Sequence, residues 1–272
     1  MRSPSSQLVA VVRAGPFRLA VPASQVRDVL RVEPGQAAVG EQPLLPLCAA
    51  LGGPAGSGGW ALRMTVPDSP ALGVEAMEGV LDAGASTVFH LPAALGVSPP
   101  SLFGGAEQLG GTLALELDVA VLLALAQHPP PTTAPWTLRP AVEPAERALV
   151  CVVAGRSLGF ALPHVLSVLA APVVAPVPRV RPGIRGVVLH AQSLYPLLDA
   201  GEVLYGRATS GAFGVVIDME GATWVVLADA VLGVRSGFRP VAGDQPGWME
   251  GQRGERAFFP LFPSDAAGLP GS

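Results

Sequence analysis

Apolar and polar residues alternate along most of this chain in short runs that end at glycine or proline. Alternation with period two, in valine-rich runs of this length, predicts β-strands. In the second half of the chain these runs are Ala148–Ala154, Leu158–Leu162, Gly186–His190, Gly214–Met219 and Thr223–Leu227. Hairpin turns are predicted at Gly155-Arg156 and Glu220-Gly221. The strands follow one another too closely for helical crossovers, so the pattern favours antiparallel β-barrels and a mainly all-β fold.

Helical patterns are few and short. The clearest is Asp118–Gln127, which is rich in Ala and Leu and begins with a residue suited to the N-cap. Short helical turns are also predicted after Pro46 and after Pro196. The expected fold therefore contains many strands and few short helices.

Three blocks of sequence occur twice, in the same order. They pair Leu8–Pro22 with Leu149–Pro163, Gln42–Leu47 with Gln192–Leu197, and Glu75–Val80 with Asp229–Val234, at separations of 141, 150 and 154 residues. The first pairing is gapless and gives Leu19 and Val21 the same core positions as Phe160 and Leu162. A period this long exceeds any solenoid unit, so we infer two homologous domains.

The domain boundaries follow from the repeats and from the prolines between them. We predict a first domain over residues 1–127, a Pro-rich linker over 128–146, a second domain over 147–266 and a tail over 267–272. A chain of 272 residues suits two domains of roughly 100–150 residues each. The prolines hold the linker extended as a semi-rigid spacer, and Trp136 and Leu138 within it are expected to dock on a domain surface.

Composition removes several classes of function. The chain is 50% hydrophobic and 14% charged, and it contains no Lys, so its basic side chains are 17 Arg and 4 His. Without Lys there is no Schiff base and no phosphate-loop lysine. A net charge of −4 without a basic cluster argues against a nucleic-acid partner.

Targeting signals and disulfides are not expected. Leu8–Val12 is too short for the apolar part of a signal peptide, and the apolar stretch 113–126 is too short and too charged to insert in a membrane. Cys48 and Cys151 are predicted to be buried free thiols. These features predict a cytoplasmic protein.

No pattern supports catalysis, a metal or a cofactor. His90, His128, His164 and His190 are expected to be packed or surface side chains, and no HExxH, CxxC or GxSxG motif occurs. The glycine-rich stretch 52–59 is expected to be a surface loop rather than a phosphate-binding loop. Glu75 and Glu78 have no partner that would suit them to acid–base catalysis and are expected to lie on a solvated face. We therefore expect a protein that is not an enzyme and needs no cofactor.

The order of these pieces resembles the CheW family, the coupling proteins of bacterial chemosensory arrays. The resemblance rests on Leu162-Pro163, Val165–Val168, Ile184–Val188, Leu194–Asp199 and Asp229–Val234 in the second repeat, with weaker matches in the first. It implies tandem CheW-like domains, each a pair of small five-stranded SH3-like β-barrels. It also implies a non-catalytic adaptor that links a chemoreceptor to a CheA-type histidine kinase by protein contacts.

The second repeat departs from the family pattern at the residues expected to make contacts. The family motif carries two Arg-Gly pairs; the first is present as Arg185-Gly186, whereas the second is Ala191-Gln192. The family also favours Val-x-acid-Val after the first hairpin, which the first repeat keeps as Val26–Val29 and the second changes to Val165-Leu166-Ser167-Val168. The predicted protein-interaction residues are accordingly Arg185, Gly186, Val165, Ser167, Val26 and Asp28.

Two alternatives stay open for Arg185. It is either a structural residue that caps carbonyl groups or pairs with Asp199, or a contact residue, since arginine is enriched at interfaces.

The first repeat is also shortened. Val29 and Pro46 lie 17 positions apart, whereas Val168 and Pro196 lie 28 apart, so the residues of the Arg-Gly strand are expected to be missing. Taken together, the sequence predicts an adaptor of a chemosensory system. The alternative is an assembly or polarity factor of a motility apparatus that uses the same fold without binding a kinase.

Overall fold

A computed structural model describes residues 8–54, 56, 58–84, 86–96, 102–127, 139–141, 143–219, 222–241 and 246–261. The chain forms two compact units. The first comprises Met1–Leu91, Gly96–Thr133 and Ala175–Val180, and the second comprises Pro92–Leu95, Ala134–Val174 and Arg181–Ser272. We call the β-rich segment from Leu8 to Gln127 repeat one and the segment from Ala145 to Leu261 repeat two.

Repeat one consists of two sheets and two short helices. Its strands are β1 Leu8–Ala14, β2 Phe17–Pro22, β3 Val26–Arg31, β4 Ala38–Val39, β5 Gln42–Pro46, β6 Trp60–Met64, β7 Ala71–Val74, β8 Ala76–Asp82, β9 Val88–Phe89, β10 Phe103–Leu109 and β11 Thr112–Leu117. The helices are α1 Leu47–Ala50 and α2 Val119–Gln127. One sheet has six strands in the order β8-β1-β2-β11-β10-β9, and the other has five in the order β3-β6-β7-β5-β4.

Repeat two is built in the same way. Its elements, with the preceding β12 Arg139–Pro140, are β13 Ala145–Val153, β14 Arg156–Ala161, β15 Val165–Ala170, β16 Val174–Ala175, β17 Ile184–His190, β18 Ser193–Leu198, α3 Ala200–Tyr205, β19 Phe213–Met219, β20 Ala222–Ala228, β21 Ala230–Pro240, β22 Trp248–Glu250, β23 Arg256–Phe258 and β24 Pro260–Leu261. Strands β13-β14-β23-β22-β21 close into a barrel, and a six-stranded sheet has the order β15-β19-β20-β18-β17-β16. The predicted mainly β fold with few short helices is confirmed.

Large apolar side chains pack on the inner faces of the two sheets of repeat two. Trp224, Phe160 and Phe238 are at most 2% exposed, and the rings of Phe238 and Phe259 lie 5.1 Å apart inside the closed barrel. Burying a side chain of this size stabilises a fold by about 1.5–3 kcal/mol. The alternating strand pattern therefore supplies each sheet with its own packed face.

Strand pairing shows that the two repeats correspond with a shift of 139 residues in the first hairpin, so the gapless match at 141 is wrong. The hairpin turns lie at Gly15-Pro16 and at Ala154-Gly155, and a 3₁₀ turn follows at Ala23–Gln25 and at Leu162–His164. Leu19 pairs in parallel with Leu115, as Leu158 does with Phe258. Leu162 thus lies in the turn rather than in the core, and Phe160 corresponds to Val21.

The second block, which pairs Gln42–Leu47 with Gln192–Leu197, is wrong at its separation of 150. Leu44 and Leu45 pair with β7 as Leu197 and Leu198 pair with β20, which is a shift of 153.

The third block is confirmed at its separation of 154. In repeat one a β-bulge opposite Val11 makes Glu78 the extra residue of β8. In repeat two the same bulge lies opposite Val150 and makes Leu232 the extra residue of β21. Gly79 and Gly233, which follow the bulged residues, have φ of 143° and 96°. This left-handed backbone favours glycine at both positions.

Most predicted elements are present, with shifted ends. Helix α2 begins one residue after Asp118, whose carboxylate accepts a hydrogen bond from the Val121 amide at 3.1 Å. A helical turn follows Pro46 directly, but the one predicted after Pro196 begins only at Ala200, because β18 continues to Leu198. The predicted turn at Glu220-Gly221 lies outside the described residues, as do Trp136 and Leu138.

The shortened part of repeat one keeps more of the fold than expected. The strand in the position of β17 is reduced to β4, which has two residues, and no strand of the described part of repeat one takes the edge position of β16. The residues that would correspond to Arg185 and Gly186 are absent, because the chain from Val32 to Ala37 is a short connection.

Candidate protein-interaction site

A β-bulge sets the direction of Arg185. In the pairing of β17 with β18, Ile184 lies opposite Leu198 and Gly186 lies opposite Leu197, so Arg185 is the extra residue. Gly186 is buried and has φ of 142°, which explains why glycine follows the arginine. A bulge of this kind re-aims a side chain out of the regular sheet.

Arg185 forms two ion pairs within its own domain. Its Nη2 lies 2.9 Å from Asp199 Oδ2 and 3.1 Å from Glu202 Oε2. The Arg185 side chain is 43% exposed, whereas that of Asp199 is fully buried. The structural alternative for Arg185, pairing with Asp199, is therefore present in the structure, and the residue still reaches the surface.

Asp199 is the centre of this cluster. Its carboxylate caps α3 by accepting the Glu202 amide at 3.1 Å, and it also accepts the Thr209 hydroxyl at 2.6 Å. The Thr209 amide donates to the same carboxylate at 3.1 Å. Burial alone raises the pKa of Asp199, but the bonds from Thr209 and Arg185 outweigh burial, so the pKa is below the ordinary value.

A second carboxylate holds the next residue of the same loop. Asp229, between β20 and β21, accepts the Ser210 amide at 2.6 Å. Burial raises the pKa of Asp229, but hydrogen bonds from Ser210 and from the backbone of Ala154 and Gly155 lower it overall. Thr209 and Ser210 thus connect an acid of the six-stranded sheet with an acid at the start of a barrel strand. Sequence reasoning missed this network, although Asp199 before a short helix was an N-cap signal.

Strand β15 turns its residues alternately inward and outward. Val165 and Ser167 are half-buried, and the Ser167 hydroxyl lies 3.3 Å from Nε2 of His190. Leu166 and Val168 point outward and are 57% and 42% exposed. The predicted contact surface around Val165 and Ser167 therefore presents the side chains of Leu166 and Val168 rather than those two residues.

Ala191 and Gln192 form the tip of the hairpin between β17 and β18. Both have positive φ, 46° and 61°, as a type I′ turn requires, and both are exposed. The place where the family pattern carries its second arginine is thus an open turn with a small side chain.

In repeat one the corresponding strand is β3, and it carries an acidic residue that forms an ion pair with the adjacent strand. Val26 is half-buried, and Asp28 accepts hydrogen bonds from Nε and Nη2 of Arg63 on the adjacent strand β6. This bidentate bond from Arg63 lowers the pKa of Asp28. By strand pairing, Asp28 and Arg63 correspond to Ser167 and Val216, so both members of the ion pair are replaced together in repeat two.

A further ion cluster in repeat one surrounds Glu78. Glu78 is paired with Arg18 Nε at 2.7 Å and with Arg13 Nη2 at 3.1 Å, and these bonds lower its pKa, with Arg18 the larger influence. Glu75 accepts the Gly15 amide at 2.6 Å. Glu78 lies on an exposed face as predicted, whereas Glu75 is half-buried. The sequence did not show the partners of either acid, because these partners are distant along the chain.

Other features of the described residues bear on function. Both cysteines are buried and free, as predicted, and burial raises the pKa of the Cys151 thiol to about 12. No group of three metal-ligating side chains is found in the described part of the chain. Within the same part, no helix has the length and apolarity needed to cross a membrane.

Comparison with known proteins identifies the class of repeat two. Residues 147–251 match the family model of the CheW-like domain, so the resemblance predicted for this repeat is confirmed. Among solved structures, the scaffolding protein TtCheW from Thermoanaerobacter tengcongensis is similar at 13% identity with a TM-score of 0.38, covering 43% of this chain and 90% of that one. A comparison with curated proteins gives no match.

Proposed function

We propose that this protein is a non-catalytic adaptor of a bacterial chemosensory system, which connects a chemoreceptor, a CheA-type histidine kinase or related components by protein contacts. The CheW-like domain at residues 147–251 supports this role. The observation that carries it is the outward face of β15 in that domain, where Leu166 and Val168 are exposed. Exposed apolar side chains grouped on one strand are typical of a binding surface.

A comparison between the repeats supports assigning the contact to repeat two. The residue in the place of Leu166 in repeat one is Arg27, and the residue in the place of the exposed Leu232 is Glu78, which is paired with two arginines. An apolar side chain in water gains free energy when a partner covers it, whereas a satisfied ion pair gains little. At these two positions repeat two therefore presents the more favourable surface for apolar contacts.

The ion pairs of Arg185 limit the affinity that an acidic group of a binding partner would gain from contacting it. Asp199 and Glu202 already neutralise the guanidinium, so an acidic group of a partner would have to compete with them. We infer that apolar contacts with β15 supply most of the affinity and that Arg185 borders them.

Bridging is the direct test of the adaptor role. Vesicles that carry a chemoreceptor are mixed with a CheA-type kinase, with and without this protein, and the kinase that sediments with the vesicles is measured. The proposal expects sedimentation of the kinase to depend on this protein. A protein that binds neither component would contradict the proposal and would favour an assembly or polarity factor of a motility apparatus.

A further inference from the structure

Repeat one contains a pocket beside its shortened segment. Its volume is about 250 Å³, and Glu33, Gln36, Pro46, Cys48, Gly56 and Glu75 are among the residues that line it. The walls also contain Val32, Leu44 and Val74, and no arginine or histidine is among the described residues that line it. The pocket is therefore part apolar and part acidic.

Strand pairing identifies which residues of repeat two occupy the same place. Leu44 and Leu45 pair with β7 as Leu197 and Leu198 pair with β20, so the next residue, Pro46, takes the place of Asp199. Counting back from the first residues of β6 and β19 matches Gly56 with Thr209. The contact of Glu75 with Gly56 matches it instead with Ser210, which Asp229 binds, so Gly56 takes the place of this pair of residues. The acidic residue after β7, Glu75, takes the place of Asp229.

Packing within each repeat confirms this correspondence. Cys48 lies against Gly15, and a Cβ at Gly15 would collide with its sulfur. Gly201, the counterpart of Cys48, lies against Ala154, where a Cβ at Gly201 would come within 2.8 Å of the Ala154 methyl group. In each repeat one residue of the facing pair is glycine. The larger residue is Cys48 in repeat one, whereas in repeat two it is Ala154, on the opposite side of the contact.

In repeat two the residue in the place of Pro46 holds an arginine of the same domain. Arg185 pairs with Asp199 and Glu202, and Thr209 completes the cluster. Repeat one has Pro46 and Ala49 in the places of these two acids, and the acids of its pocket are Glu33 and Glu75 instead. In repeat one the arginine-bearing segment is shortened, Pro46 and Gly56 have no polar side chains, and the carboxylate of Glu75 stays in place. Glu75 Oε2 accepts the Gly15 amide, while Oε1 lies so close to Gly56 that a Cβ there would collide with it.

We propose that the pocket of repeat one receives an arginine side chain from a partner protein, in the place that Arg185 occupies in repeat two. Glu33 and Glu75 supply the complementary charge, and the apolar wall accommodates the methylene groups. A pocket of 250 Å³ is smaller than the roughly 300–1,000 Å³ of sites for whole small molecules. A single planar guanidinium, with its fork of donors, matches a carboxylate better than a lysine ammonium.

This contact goes beyond the proposed adaptor function and lies in the other repeat, so either proposal stands if the other fails. The test is a titration of the full chain with N-acetyl-arginine amide, with amide chemical shifts of Gly56, Gly58 and Gly73 as readout. N-acetyl-citrulline amide, which has nearly the same shape without the charge, is the matched probe. We expect arginine to bind about tenfold more tightly than citrulline, because its hydrogen bonds are charge-assisted.

Variants assign the binding to the pocket. Glu75→Gln keeps an oxygen for the Gly15 amide and is expected to lose most of the preference for arginine, whereas Asp68→Asn, an exposed acid that does not line the pocket, is expected to leave it unchanged. Gln36→Arg places an arginine in the pocket and is expected to abolish the shifts. Equal binding of the two probes, or shifts that persist in Gln36→Arg, would overturn the proposal even if Glu75→Gln does not fold.

Discussion

Arg185 and Asp199 form an ion pair in which one partner is 43% exposed and the other is fully buried. The two residues therefore respond differently to substitution. Removal of Arg185 leaves Asp199 with the amides of Glu202 and Thr209 and with the Thr209 hydroxyl. Removal of Asp199 instead leaves those partly buried donors without this acceptor. The stability of the fold is therefore expected to depend more on Asp199, and the charge of the surface more on Arg185.

Asp199→Ala is expected to lower the free energy of unfolding of repeat two by about 3 kcal/mol, since it removes a helix cap and a buried partner of several donors. Hydrogen exchange of the β18 and β20 amides in the full chain measures this. Glu202→Gln is the control, because Glu202 also pairs with Arg185 but is 42% exposed, and its cost is expected to be below about 1 kcal/mol. Equal losses in both variants would contradict the central place of Asp199.

The contribution of Asp199 to stability is expected to depend on pH. Its pKa in the folded protein is below the ordinary value of 3.8, so its contribution is complete above that value and is lost as the pH falls through the folded pKa. The difference in stability between the wild type and Asp199→Asn should therefore be constant near neutral pH and shrink below about pH 4. Denaturant unfolding at several pH values measures the difference. A stability difference that stays constant down to about pH 2 would show that the charge of Asp199 contributes nothing to the free energy of unfolding.

Arg185→Glu is expected to destabilise the fold as well as any contact. The new carboxylate would lie beside Asp199 and Glu202, at a cost of about 1–2 kcal/mol after allowance for exposure. Ala191→Arg, in the exposed turn of the same hairpin, is expected to change stability by less than about 0.5 kcal/mol. Thermal unfolding of both variants, with their affinity for a chemoreceptor fragment, separates the two roles.

Two results of that pair of variants are informative. A stable Arg185→Glu protein would show that the ion pairs contribute little to folding. New binding of Ala191→Arg to the chemoreceptor would support the view that loss of the second arginine changed the partner.

The sequence predicted the strands well but not their alignment between repeats, for a physical reason. Side chains alternate with period two along a strand, so a shift of two residues leaves every inward position inward. The match of Leu8–Pro22 to Leu149–Pro163 has this error, since the pairing of Leu19 with Leu115 and of Leu158 with Phe258 sets the true shift. The turns, the bulges and the pairing with neighbouring strands distinguish the two alignments, and none of these is visible in the alternation of apolar residues.

The candidate site was predicted in part. The pattern around Arg185 pointed to an important residue and named Asp199 as its possible partner, because the family motif and the charge of both residues are local signals. The bonds of Asp199 to Thr209 and of Asp229 to Ser210 could not be predicted, since they depend on how a loop folds back between two sheets. The contact role of Arg185, Gly186, Val165, Ser167, Val26 and Asp28 stays a prediction.

The affinity of Leu166→Glu for the partner tests the account most directly. Wild-type protein is titrated against a CheA-type kinase and against a chemoreceptor fragment, and the variant is then titrated against whichever one binds. Because the 57% exposed Leu166 side chain lies on the proposed contact face, the variant is expected to lose about 2 kcal/mol or more of binding free energy. Its melting temperature is expected to stay unchanged, and Val66→Glu, a similarly exposed apolar position in repeat one, should bind as the wild type does. Binding of Leu166→Glu at wild-type affinity, or binding of neither partner by the wild type, would contradict the account.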